Sequence, residues 1–240
     1  MPLKDDLSAK VKEFLGPWTD IRSGYVVPTA NSVTFANTGV RLKSATVLYA
    51  DLHRSTAMVD HMKDTAAAEC YKAFLHCCAK IVKSSDGDIT AYDGDRIMAV
   101  FLGDSRADNA VVAAMKIHWA MRHIVMPAFK AKYGKGCWDL KHTVGIDDGP
   151  LLAVKTGVRD DNDLVWVGPA ANYAAKLNSF NGLDTSSPTR VTAEVFNLLT
   201  NKTRIASDGR PMWNGGDKGN GFVDVGSRTH FRSRFWWTIA

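Results

Sequence analysis

Residues Ala45-Thr46-Val47-Leu48-Tyr49-Ala50-Asp51 run apolar up to a single carboxylate, and Tyr92-Asp93-Gly94-Asp95-Arg96 stand between two short runs, residues 89–92 and 97–101. The first run, from Ser44, suits a strand buried on both faces. The second suits a hairpin, because Asp93-Gly94 supplies the backbone freedom that a tight turn needs. Between them Met58, Met62, Cys70, Phe74, Cys77, Cys78, Ile81 and Val82 recur at helical spacing. Ser55 or Thr56 suits the N-cap of that helix, and Ser84-Ser85-Asp86-Gly87 suits its end. A strand, a helix and a returning hairpin would bring Asp51 and Asp95 to the ends of neighbouring strands.

Two carboxylates so placed make a hard oxygen site suited to Mg²⁺ or Mn²⁺. Each also suits a plainer role, Asp51 capping the helix and Asp95 serving the turn. The rest of the chain decides between these readings.

A second helix starts at Asp104 or Ser105 and carries Val111, Met115 and Trp119 towards Tyr133. Residues 140–147 and 151–155 suggest two strands joined at Asp148-Gly149-Pro150, and residues 164–167 suggest another. Gly168-Pro169 opens a helix, since proline is favoured in a first turn, and that helix presents Asn172 and Lys176 on one face. A short helix over residues 192–199, a glycine-rich stretch over 208–221 and a β-like segment ending Phe235-Trp236-Trp237 complete the chain. Upstream, a helix over residues 4–15 stops at Gly16-Pro17, and residues 18–40 suggest an extended arm. This order predicts an α+β sandwich of a mixed β-sheet with flanking helices over residues 44–240, preceded by an N-terminal helix and arm over residues 1–43.

The chain has 240 residues, 45% of them apolar, which is enough for a substantial core. No apolar run reaches spanning length and the first residues are polar, so a cytoplasmic protein without membrane contact of its own is expected. Cys70, Cys77, Cys78 and Cys137 lack metal-site spacing and are expected to be reduced, buried thiols. The net charge of +5 and pI near 9.0 favour an anionic partner. A nucleotide, a nucleic acid or a membrane surface would each fit, and because the charge is spread out nucleic acid is not specifically indicated.

Tyr49-Ala50-Asp51-Leu52-His53-Arg54-Ser55-Thr56 resembles the phenylalanine-alanine-aspartate-isoleucine, two variable, threonine motif of class III nucleotidyl cyclases. Gly94-Asp95-Arg96-Ile97-Met98-Ala99 resembles that family's glycine-aspartate hairpin and the strand after it. Val165-Trp166-Val167-Gly168-Pro169-Ala170-Ala171-Asn172-Tyr173-Ala174-Ala175-Lys176 resembles its later helix, where an asparagine is followed after three residues by an arginine. The resemblance implies that Asp51, Asp95 and the Leu52 carbonyl hold two Mn²⁺ or Mg²⁺ ions, and that residues 52–56 (Leu52, His53, Arg54, Ser55 and Thr56) offer backbone N–H groups to phosphates. It implies that Asn172 orients the ribose and that Lys176, in place of arginine, stabilises charge on the reacting phosphate. Gly157-Val158-Arg159 resembles a polyphosphate contact, here Arg159. Lys218, Arg228, Arg232 and Arg234 all remain open as the terminal-phosphate grip.

At the two base-reading positions of the family stand Ala91 and Val165, and neither can read a purine's polar edge. Tyr49, Tyr92 or Trp166 would have to narrow the pocket. The missing purine readers and the size of the chain resemble the pyrimidine cyclases of bacterial Pycsar antiphage systems. The class III resemblance implies a homodimer with sites between protomers, the metal aspartates from one and the Asn172 and Lys176 helix from the other, and a nucleoside triphosphate substrate. The pyrimidine-cyclase resemblance implies cyclic UMP or cyclic CMP as product and a separate effector protein. ATP as substrate, or a nucleotide-binding regulator without turnover, are the alternatives, and retention of both aspartates argues against the latter.

Overall fold

The run into Asp51 is a strand, and it is longer than its apolar centre alone predicts. The computed structural model describes residues 2–134, 136–179, 184–215, 221–222 and 228–239. Helix α1 (Leu3–Phe14) and strand β1 (Asp20–Ser23) lead into β2 (Thr38–Leu52), which begins inside the segment expected to be an arm. Helices α2 (Ser55–His61) and α3 (Asp64–Ser84), hairpin strands β3 (Gly87–Asp93) and β4 (Arg96–Phe101), and helix α4 (Arg106–Ala120) follow. A π turn, Met121–Val125, joins α4 to α5 (Met126–Tyr133). Then come β5 (His142–Val158), β6 (Asp161–Val167), α6 (Pro169–Ser179), β7 (Thr189–Thr192), α7 (Ala193–Leu198), α8 (Asn201–Arg204) and β8 (His230–Ser233).

The described strands form one mixed sheet in the order β3-β4-β2-β5-β7-β8, with β1 parallel to β2 and β6 antiparallel to β5. Alternation along β2 sends Leu48, Ala50 and Leu52 under α3 and α4, where they join Phe74, Phe101, Met115 and Ile146 in the larger core. Ala45, Val47 and Tyr49 face the other way, against Ala170, Ala171 and Ala174 of α6. Helices therefore cover both faces. No described helix is long and apolar enough to cross a membrane, and all four cysteines are free thiols.

Five expectations about elements are corrected. The helix after Asp51 is two helices, because Met62 and Lys63 are extended, and the break turns Met58 into the core at 1% exposure. Its N-cap is Arg54, in the left-handed region at φ 59°, with Ser55 already inside the helix. The helix from residue 106 to 133 carries a π turn just before Pro127, which has no N–H to continue the regular ladder. The two strands expected around Gly149-Pro150 are one strand. Leu42 pairs with Leu151 and Ala45 with Gly149, so Pro150 lies opposite the bulge at Lys43-Ser44, where its missing N–H costs no ladder bond. The C-terminal β segment is limited to His230–Ser233, and Phe235-Trp236-Trp237 continue as irregular chain.

Asp147 on β5 is fully buried, accepting hydrogen bonds from Thr192 Oγ1 at 2.5 Å and from Arg228. Burial outweighs both partners and lifts its carboxyl from 3.8 to about 6. Between those values the folded chain holds a proton that the unfolded chain has released. This group's contribution therefore falls as pH rises through that window, by about 3 kcal/mol. Asp147→Asn is expected to flatten the stability profile between about pH 4 and pH 6, measured by urea denaturation. An unchanged slope would show that Asp147 is ionised throughout.

Candidate active site

The β2–β4 register places Ile97 opposite Ala50, which brings Arg96 abreast of Asp51 and leaves Asp95 at the turn. Gly94 has φ 59°, the left-handed backbone that lets the hairpin close in two residues. The Arg96 guanidinium donates twice to Asp51 Oδ2, from Nη2 at 2.9 Å and from Nε at 3.2 Å. Asp95 Oδ2 is buried with no hydrogen-bond partner among the described residues. Burial first, and then the adjacent Asp95 carboxyl, push Asp51 up to about 6 against the pull of Arg96. Two carboxyls crowd together here, the guanidinium bonds only Asp51, and an orphaned oxygen of Asp95 remains.

That donor set fits a hard divalent cation. Among the described residues no group of three or more His, Cys, Asp or Glu side chains gathers around an ion site. An ion here would complete its shell with carbonyl, water and phosphate oxygens, as Mg²⁺ characteristically does.

The phosphate-facing segment is narrower than expected. His53 N–H is taken, donating to the Lys141 carbonyl at 2.8 Å, whereas Leu52 stands at the adjacent non-hydrogen-bonded pair with His142, which leaves its carbonyl free of β5. The first turn of α2, with Ser55 and Thr56, supplies the free donors that remain, following Arg54. Tyr71 of α3 closes this side. It stands against Ser55 and within the field of Asp95 and Asp51, and burial raises its phenol. The sequence reading passed over Tyr71 because it sits one position off the apolar stripe of Cys70 and Phe74.

Ala91, Met98 and Tyr49 form a cross-strand row beside Asp51, since Ala91 pairs with Met98 and Met98 with Tyr49. The Tyr49 hydroxyl donates to Met98 Sδ at 3.1 Å, and burial raises its pKa. Tyr92 alternates to the outside and is 56% exposed, while Trp166 packs into the smaller core. Of the three aromatic residues expected to narrow the base pocket, Tyr49 alone stands beside Asp51.

Asn172 and Lys176 share the exposed face of α6, whose other side buries Ala170, Ala171, Ala174 and Leu177. The Lys176 ammonium lies 4.9 Å from the Tyr173 ring. Thr143, the register partner of Asp51, donates at 2.9 Å to both the backbone and side-chain oxygens of Asn178, which ties the end of α6 to β5 beside the Asp51 strand.

Arg159 and Val165 lie elsewhere in the protomer. Arg159 is exposed at the β5–β6 turn, at the opposite end of β5 from Thr143, roughly 50 Å of extended strand away. Val165 pairs with Val154, so roughly 30 Å of β5 separates it from Gly145, the residue beside Tyr49. One chain does not bring these residues to Asp51. Of the terminal-phosphate candidates, Lys218 lies outside the described residues. Arg228 is ion-paired with Asp147 and stacked 4.3 Å from the Tyr173 ring. Arg232 lies over Phe222, and Arg234 is on the opposite face of the sheet with α4 and α8.

A carboxylate pair at a hairpin and a helix with a polar outer face invite comparison with known proteins. A uridylate cyclase of Xanthomonas perforans is 46% identical over 215 residues, which is 89% of this chain and 90% of that protein. A uridylate cyclase of Burkholderia cepacia is 45% identical over 215 residues, 89% of this chain and 91% of that one. The chain belongs to the uridylate cyclase family. It is accordingly a nucleotidyl cyclase. The fold matches that of the adenylyl cyclase CyaB from P. aeruginosa, with TM-score 0.64 and 19% identity over 80% of this chain and 94% of the other. The guanylyl cyclase Cya2 matches equally, with TM-score 0.64 and 17% identity over 81% of this chain and 92% of the other. No protein-family model matches the chain. In this family setting the row Ala91-Met98-Tyr49 occupies the strand positions next to the carboxylate pair, and an uncharged, tight surface is what it presents there.

Proposed function

We propose that the chain converts UTP to 3′,5′-cyclic UMP and pyrophosphate. The observation that carries this reading is the Ala91-Met98-Tyr49 row. It places a bulky phenol and a thioether where a base would lie and offers no pair of polar groups to a purine edge. The 46% identical relative named for uridylate supports the same substrate.

In the reaction the ribose 3′-oxygen loses its proton and attacks the α-phosphorus, a new P–O bond closes the ring, and the bond to the bridging oxygen breaks to release pyrophosphate. Asp51, Asp95 and the Leu52 carbonyl would hold Mn²⁺ or Mg²⁺ ions, which when bound would lower the pKa of the 3′-hydroxyl, so that its proton passes to solvent, and would screen the phosphates. Arg96 holds Asp51 in position and neutralises part of the carboxylate pair. The first turn of α2 points N–H groups at the triphosphate. Asn172 orients the ribose, and Lys176 meets the charge that builds on the reacting phosphate. Because Val165 and Arg159 lie so far along β5 from the carboxylates, a complete site needs a second copy, and two-fold pairing generates two equivalent sites. The product acts on a separate effector in antiphage defence.

Incubating the purified chain with each of the four nucleoside triphosphates and Mn²⁺, and identifying products by mass, tests the substrate. Cyclic UMP is expected. Cyclic AMP without any pyrimidine product would overturn the substrate and leave the family standing.

Tyr49→Ala removes the phenol while leaving the carboxylates in place. The ratio of kcat/KM for UTP over ATP is expected to fall by about tenfold or more, since discrimination rests on filled space and paired polar groups. An unchanged ratio would place base selection elsewhere.

A further inference from the structure

The face of the sheet opposite Asp51 holds a hollow of about 580 Å³ that cyclisation does not use. Its wall is the C-terminal tail. Trp237 N–H donates to the Met115 carbonyl, and the Phe235 carbonyl lies 3.2 Å from His118 Nδ1, so both bonds pin residues 235–237 to α4. Arg122 lies 4.7 Å from the Trp236 ring and Lys202 5.6 Å from the Trp237 ring, with Arg234 beside them. These three cations have no carboxylate partner among the described residues, whereas Arg210, on the same rim, is paired with Asp208 at 2.6 Å.

A second hollow, of about 330 Å³, shares His118 and Arg122 with the first, and His142 lines it. His142 is 4% exposed, and its Nε2 has no hydrogen-bond partner among the described residues. Burial lowers its pKa to about 3, so the ring is neutral in ordinary buffers. A buried polar atom left unpaired costs about 1–3 kcal/mol. The hollow beside it has room for the missing partner. The rings of Trp236, His118 and His142 follow one another at 5.9 and 5.4 Å, so one path joins the stacking surface to the unpaired nitrogen.

We propose that the joined hollows are a binding site for a nucleoside phosphate, separate from the substrate site. The phosphate meets Arg122, Lys202 and Arg234, the flat base lies against Trp236, and its polar edge points towards His118 and His142. Unneutralised cations beside aromatic faces are the features that hold a phosphate and a base together. Hollows of about 580 and 330 Å³ suit one small ligand rather than a strand of nucleic acid. The site also reaches the catalytic strand. His142 is the register partner of Leu52, and the Lys141 carbonyl accepts from His53 N–H at 2.8 Å. Any effect of the ligand on turnover rests on the cyclase reading, while its binding does not.

The test uses the full chain carrying Asp51→Asn and Asp95→Asn in the presence of a chelator, so that metal-dependent substrate binding is absent. UMP, AMP and inorganic phosphate are titrated by calorimetry and tryptophan fluorescence. One nucleoside monophosphate is expected to saturate one site per chain with a Kd below about 1 mM, and phosphate alone to bind at least about tenfold more weakly. Adding Arg122→Ala with Lys202→Ala is expected to weaken the nucleotide about tenfold or more, and Trp236→Ala to remove the fluorescence change. Circular dichroism unchanged from the parent confirms that these surface variants fold. The proposal is overturned if no nucleotide saturates below about 1 mM, if Arg122 and Lys202 can be removed without effect, or if a short single-stranded oligonucleotide binds about tenfold tighter than every mononucleotide.

Discussion

Asp95→Ala is expected to lower cyclic nucleotide formation by about a thousandfold or more and, in the same protein without metal, to raise the melting temperature at neutral pH. The two effects have one cause. Asp51 is lifted to about 6 by burial and by the neighbouring Asp95 carboxyl, with Arg96 offsetting only part of that. At neutral pH the fold therefore holds two crowded carboxylates, and Asp95 Oδ2 is buried without a partner. Removing Asp95 relieves the repulsion and deletes the unsatisfied oxygen, and each kcal/mol gained moves the melting temperature by about 2–4 °C in a chain of this size. The loss of turnover follows because the proposed function gives the same crowded oxygens the task of holding the ion. Turnover within about tenfold of the parent would sink the metal assignment. Loss of turnover accompanied by a lower melting temperature would make Asp95 a structural residue of the hairpin.

The carboxylate pair was legible in the sequence because each aspartate sits beside chemistry that fixes local geometry: an apolar strand ending at Asp51 and the Gly94 turn before Asp95. Asn172 and Lys176 were legible for the same reason, since Gly168-Pro169 marks where α6 begins. Arg96 on Asp51 was not, because the contact depends on register between strands 45 residues apart. Gly149-Pro150 has the composition of a turn and lies in mid-strand, since the bulge that accommodates Pro150 belongs to β2 and is more than a hundred residues away in sequence. Arg159 and Val165 show a different limit. Their motifs are local, but their distance from Asp51 along β5 depends on how β5 and β6 pair in the sheet, which no local motif records.

Gly145→Ala is the substitution expected to do the most damage outside the reacting groups. A Cβ at this position would stand 2.2 Å from the Ala174 carbonyl oxygen and 2.8 Å from the Asn178 backbone N, and neither atom is the movable end of a side chain. Relief requires α6 to lift from β5, which strains the Thr143 bonds to Asn178 and opens the small core under Ala170 and Ala174. Overpacking of this kind costs about 3 kcal/mol, or about 10 °C in melting temperature for a chain of this length. The same displacement moves Asn172 and Lys176, which ride on the outer face of the helix, away from the position set by the metal strand. Misplacement by about 1 Å costs about a hundredfold in rate, so the surviving folded protein is expected to bind metal normally and turn over slowly. Thermal melts and single-turnover kinetics separate the two effects. A stable Gly145→Ala protein with parental turnover would show that α6 has slack against β5, and that the close seat of the helix on Gly145 does not position its polar face.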